Sequence, residues 1–106
     1  MPKYLFEAKY TAEGAKGLLH DGGSGRRAAI DKAIAGLGGR VETFYFAFGG
    51  SDAYVIADLP DNTAAAAMAL AVGQSGRAST KTVVLLTAEE VDAATKKVVA
   101  YKPPGG

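Results

Sequence analysis

Few side chains in this sequence are equipped for acid–base or nucleophilic chemistry. There is one histidine, His20, and no cysteine. His20 alone has an ordinary pKa near neutrality, so it is the natural candidate for a general base. Without cysteine, thiolate nucleophiles, disulfides and Cys-ligated zinc are excluded, and a single histidine excludes sites such as H-E-x-x-H. The carboxylates show no metal-ligand spacing. The expectation is a protein with no metal and no cofactor.

His20 opens the stretch "HDGGSGRRAAI", residues 20–30. Gly-rich segments at the mouth of a helix bind anions through free backbone N–H groups. Gly23 to Ala28 matches G-x-G-x-x-A by letter. A dinucleotide fingerprint needs a strand directly before it, whereas "AKGLLHD" precedes it here, and the G-x-x-x-x-G-K-[ST] pattern is missing. The context argues for a joint between two helical pieces, with Ser24 as an N-cap. Arg26 and Arg27 at the helix start oppose its dipole unless an anion sits there, so a carboxylate or phosphate ligand would suit them.

Other candidates lie on the strands. Asp52 is suited to brace the "GGSD" turn, residues 49–52, while Asp58 falls at a strand end and is expected to face solvent. Tyr4, Phe6, Tyr10 and Tyr45 would line an apolar cavity if a helix of small residues leaves room above a sheet. The ligand-binding candidates are thus Tyr10, His20, Arg26 and Tyr45, with His20 the catalytic candidate.

These residues must be positioned by a regular framework. "KYLFEAKY" alternates with period two, which argues a first strand. "TAEGAKGLL" is weakly helical, with Thr11 as its cap and two glycines weakening it. "RRAAIDKAIAGL" places Ile30, Ala33, Ile34 and Leu37 on one stripe of a helix. "RVETFYFAF", residues 40–48, reads as a strand with Phe44, Phe46 and Phe48 on one face and Val41, Thr43, Tyr45 and Ala47 on the other. "AYVIADL" is a third strand. Asp61 or Asn62 caps a second helix, "TAAAAMALAV", and "STKTVVLLT" is a fourth strand. Thr87 and Glu90 form a T-x-x-E capping box opening a last helix near Ala88.

The order β-α-β-β-α-β is the ferredoxin-like split βαβ arrangement, an α+β fold whose helices share one face of an antiparallel sheet. At 106 residues the chain makes one domain. It is expected over residues 1–102, with 103–106 a flexible tail. A one-sided sheet should alternate apolar and polar residues, yet the third strand is almost wholly apolar and the fourth reads Val83, Val84, Leu85, Leu86. Leaving the second face bare would expose an apolar patch of several hundred Å². A homodimer packed sheet to sheet is the expected remedy. The net charge is +1 with interleaved signs, which argues against nucleic acid as a partner. No segment resembles a signal peptide or approaches membrane-spanning length, so a cytoplasmic protein without a membrane partner is expected.

The segments "MPKYLFEAKYTAEGAKGLL", "FGGSDAYVI" and "AMALAVGQSGRASTKTVVLLTAEE" resemble the GYD-domain family, within the dimeric α/β-barrel group of ferredoxin-like proteins. The family's Gly-Tyr-Asp triplet corresponds to Gly50-Ser51-Asp52, with serine in place of tyrosine. The resemblance implies the fold and the dimer but carries no general activity. Relatives in the wider group include cofactor-free monooxygenases, isomerases, haem enzymes and proteins without known catalysis. Three functions therefore follow as expectations. The first is a homodimer that binds a small apolar or anionic metabolite. The second is a cofactor-free monooxygenase or isomerase, acting on a small aromatic or enolisable substrate with His20 as base. The third is a structural assembly protein.

Overall fold

The computed structural model describes residues 1–106. Strand β1 (Lys3–Tyr10) leads into helix α1 (Ala12–Gly36), then β2 (Arg40–Phe46), β3 (Ala53–Asp58), α2 (Asn62–Gln74), β4 (Ala78–Leu85) and α3 (Ala88–Thr95). The four strands form one antiparallel sheet in the order β2-β3-β1-β4. This is the ferredoxin-like fold that the element order predicts.

Alternation in β1 turns Tyr4 and Phe6 onto the helices, where they join Phe44, Val55, Ile34 and Met68 in the core. Tyr4 is almost wholly buried, and its hydroxyl donates to Asn62 Oδ1 at 2.6 Å at the start of α2. Asp61 caps that helix by accepting from the Ala64 N–H at 2.9 Å. The Thr87–Glu90 capping box of α3 is fully formed.

Strand β2 departs from the sequence expectation at both ends. The register shifts between Val41 and Thr43, leaving Glu42 as the extra residue of a β-bulge. The bulge turns Val41 onto the core side, where it packs with the Phe44 cluster rather than sharing a face with Thr43. At the other end the strand stops at Phe46. The chain turns away there, and Phe48 is fully exposed instead of extending the phenylalanine face.

The glycine segment is not an open loop. Residues 12–36 are helical apart from Gly22, whose φ of 75° and ψ of 168° break the helix at a single residue. This conformation lies outside the reach of ordinary L-residues and suits glycine. The joint expected in this region is therefore one residue long.

Gly14 has a tighter role than weakening a helix. It is buried, and a methyl group built on it would collide with the carbonyl oxygen of Arg77. The same carbonyl accepts the Thr11 N–H at 3.0 Å, and Thr11 Oγ1 donates to the Gly76 carbonyl at 3.0 Å. The start of α1 is thus fastened directly to the start of β4. Gly17, one turn on, has nothing within 4 Å of an added methyl. Gly14→Ala is therefore expected to destabilise the fold by about 2 kcal/mol or more through overpacking against backbone. Gly17→Ala should stabilise it by about 0.5–1 kcal/mol. Urea titrations of both variants check the opposite signs.

Candidate functional site

α1 packs chiefly on β2, and α2 chiefly on β4. Between them, above β1, the covering is incomplete. An inner chamber of about 50 Å³ lies there between helices and sheet. Its floor comes from the inward faces of the strands, including Phe6, Ala8, Phe44, Ala53 and Val55, and its roof from Ile30, Ile34, Met68 and Val72. Small strand residues leave the space, since Ala8 and Ala53 stand where larger side chains would fill it. Tyr10, Arg26 and Thr80 are the only polar residues at its border, and they line it mainly through their carbon atoms. The volume corresponds to about three or four water-sized groups.

The chamber adjoins a wider cleft of about 560 Å³ between α1 and α2. Tyr10, Arg26, Ile30, Met68, Val72 and Ala78 border both spaces. The cleft adds Asp21 and Arg77, along with the small faces of Gly14, Gly17, Ala29, Ala33 and Ala71. The break at Gly22 makes this arrangement possible, because it redirects the helix so that Arg26 reaches the junction of chamber and cleft.

Of the four ligand-binding candidates, the structure brings together Tyr10 and Arg26. Arg26 is partly buried, and its side chain makes no hydrogen bond or ion pair with the rest of the chain. Its neighbour Arg27 differs, approaching Asp31 at 3.8 Å and lying over the Phe44 ring at 5.9 Å. His20 lines neither chamber nor cleft. Its side chain is 89% exposed, and Nδ1 lies 3.1 Å from Oδ1 of the adjacent Asp21. Tyr45 projects from the opposite face of the sheet, paired with Tyr54, and is 70% exposed. Alternation along β2 explains this, since Phe44 takes the inward position. Tyr4 is packed solidly and only Phe6 and Tyr10 of the β1 aromatics face the chamber. The aliphatic lining from α2 and the alanines of the strands escaped the sequence reading. Their signal was the excess of alanine at inward strand positions.

Asp52 braces the turn as expected, and reaches further. Its Oδ2 accepts the Tyr10 N–H at 2.8 Å, its own N–H donates to the Ala8 carbonyl at 2.8 Å, and its carbonyl accepts the Ala47 N–H at 2.8 Å. The turn thereby fixes the end of β1 that carries Tyr10. Ser51 lies beside Glu7, its Oγ 3.5 Å from Oε1.

A GYD-domain family model matches residues 4–95. The chain belongs to the GYD-domain family. Comparison with curated proteins and with solved structures returned no significant match. The family match runs from Tyr4 in β1 to the end of α3, and so includes both helices that border the chamber.

Asp58 corrects the solvent-facing expectation. Only 8% of its side chain is exposed, and its oxygens meet Lys3 Nζ at 2.9 Å and Arg40 at 3.3 Å. Lys3 also holds Glu42 at 2.9 Å, the residue that the bulge inserts. These groups gather on the sheet face away from the chamber. The Lys3 hydrogen bond holds the Asp58 carboxyl below its ordinary value, helped by Arg40 and opposed by burial. Asp58 and then Glu42 raise the Lys3 pKa in turn. A carboxylate whose folded pKa is depressed contributes its stability above its unfolded pKa, near 3.8 here, and loses it as pH falls through the folded value. Asp58→Asn should lower the melting temperature at pH 7 by roughly 5 °C. It should also flatten the fall in stability below pH 4, and melting curves at pH 7, 4 and 2.5 test both effects. Parallel pH profiles for variant and wild type would contradict the assignment.

Proposed function

We propose that this GYD domain acts as a homodimer in which each subunit binds a small apolar or anionic metabolite in the chamber beneath α1 and α2. The carrying observation is the chamber itself, lined by aliphatic and aromatic side chains, with Tyr10, Arg26 and Thr80 the only polar residues at its border. Small-molecule sites have this composition, in which apolar walls supply affinity and a few polar groups fix orientation. Binding is favoured over a cofactor-free monooxygenase or isomerase reaction by the position of His20. The imidazole stands in solvent and takes no part in the chamber lining, so the one histidine is not placed to act as base on a molecule held there.

The dimer reading rests on the uncovered sheet face. Leu5, Ile56, Val83 and Leu85 are only partly covered there, with Tyr45 and Tyr54 beside them. α3 supports it too. It has no buried residue and no substantial packing against another element, and Val91, Val98, Val99 and Tyr101 are exposed along the segment. An isolated helix of eight residues has little stability in water. A second copy would supply cover for both surfaces.

Sedimentation at micromolar concentration should give a dimer, shifted toward monomer by Ile56→Arg; a wild-type monomer would overturn the dimer. A thermal-shift panel of small apolar alcohols and acids should contain stabilising members. Val72→Phe, which narrows the junction of chamber and cleft, should remove that stabilisation. A flat panel for the wild type would overturn the binding role. Native mass spectrometry showing species well beyond the dimer would favour the assembly reading instead.

A further inference from the structure

We infer that the chamber selects a monoanionic amphiphile, a short apolar body ending in a carboxylate, with Arg26 as the residue that recognises the charged end. This rests on the binding role proposed for the chamber and specifies the ligand's chemistry. Arg26 borders both the inner chamber and the outer cleft, so it stands where the apolar part of a bound molecule would give way to its solvated part. The Arg26 side chain is partly exposed and its nitrogens still reach solvent, so a bound carboxylate would replace water on the guanidinium with a charge-assisted pairing. The chain supplies no acceptor. Asp21, the one carboxylate lining the cleft, lies against His20, and Arg77, the other charged group of the cleft, is a second cation with no ion-pair partner. The local charge balance is therefore positive, and it faces an interior whose remaining walls are apolar.

Each part of the ligand follows from this. A carboxylate matches the planar fork of Arg26 with two parallel hydrogen bonds. Tyr10 borders the same two spaces, and its hydroxyl makes no hydrogen bond within the chain, which leaves it free to donate one. The chamber, about 50 Å³, admits a short chain or a small ring and not a long acyl tail. An amine would bring a further positive charge to a cleft that already holds Arg26 and Arg77, and a neutral molecule would leave Arg26 to water.

The test uses three probes of equal length, hexanoate, 1-hexanol and hexylamine, titrated into the full chain and followed by amide chemical shifts. Hexanoate should bind about tenfold or more tightly than hexanol, as hydrogen bonds to charged groups allow, with hexylamine weakest. Shifts should centre on Phe44, Met68 and Val72. In Arg26→Gln the advantage of hexanoate over hexanol should fall to about one, while Arg26→Lys should retain part of it. Arg27→Gln, which alters a guanidinium outside the chamber, should retain all of it. Equal wild-type affinities for hexanoate and hexanol would overturn the anion preference while leaving the chamber's binding role standing. Preference persisting in a folded Arg26→Gln would overturn the assignment to Arg26. Failure of all three probes to bind would overturn both this inference and the binding role.

Discussion

A mismatch of lengths governs this structure. A continuous helix of 25 residues would run about 37 Å, whereas the strand it follows, with eight residues, covers about 27 Å. A straight α1 would overshoot the sheet and leave β2 uncovered. The break at Gly22 resolves the mismatch, because one left-handed residue redirects the chain without adding a loop. The first half of α1 is fastened at the β4 edge through Gly14 and Thr11, and the second half lies over β2. The gap above β1 lies between the second half of α1, which packs on β2, and α2, which packs on β4.

The charged cluster on the other face has a comparable origin. Asp58 sits next to β2 and β1 at once, so one carboxylate meets cations from two strands, Lys3 and Arg40. The bulge at Glu42 adds a second acid on the same lysine. These pairs tie three strands at one end of the sheet, where Leu85 stands opposite Lys3, and Leu5, Ile56 and Val83 form the next outward row. The open face therefore has a polar end whose charges are satisfied within the subunit and an apolar stretch with nothing over it.

Much of the framework was legible because local chemistry dictates it. Period-two alternation located β1, the Asp61 and Thr87 caps marked helix starts, and the element order gave the topology. What was hidden depends on the third dimension. The bulge at Glu42 leaves no local signature, yet it reverses the face of Val41. Helicity through Gly23–Ser24–Gly25 contradicts propensity, and packing of the following apolar stripe decides in its favour. Tyr10 and Arg26 were found from residue type, but type alone could not separate them from Tyr45 and His20. The first of those lies on an outward position of its strand, and the second precedes the helix break. Asp58 looked like a polar strand end, because its two cations lie 55 and 18 residues away in sequence.

The bracket formed by Asp52 carries a consequence for how such a protein diversifies. The turn lies outside the chamber lining, yet its carboxylate grips the backbone of Tyr10, whose side chain borders the chamber. Adjustments in the turn therefore tilt the rim of the chamber without altering any residue that a bound molecule would touch. Ser51, whose Oγ lies beside Glu7, sits within that lever arm and not at its working end. A change of side chain at position 51 leaves the composition of the chamber walls untouched.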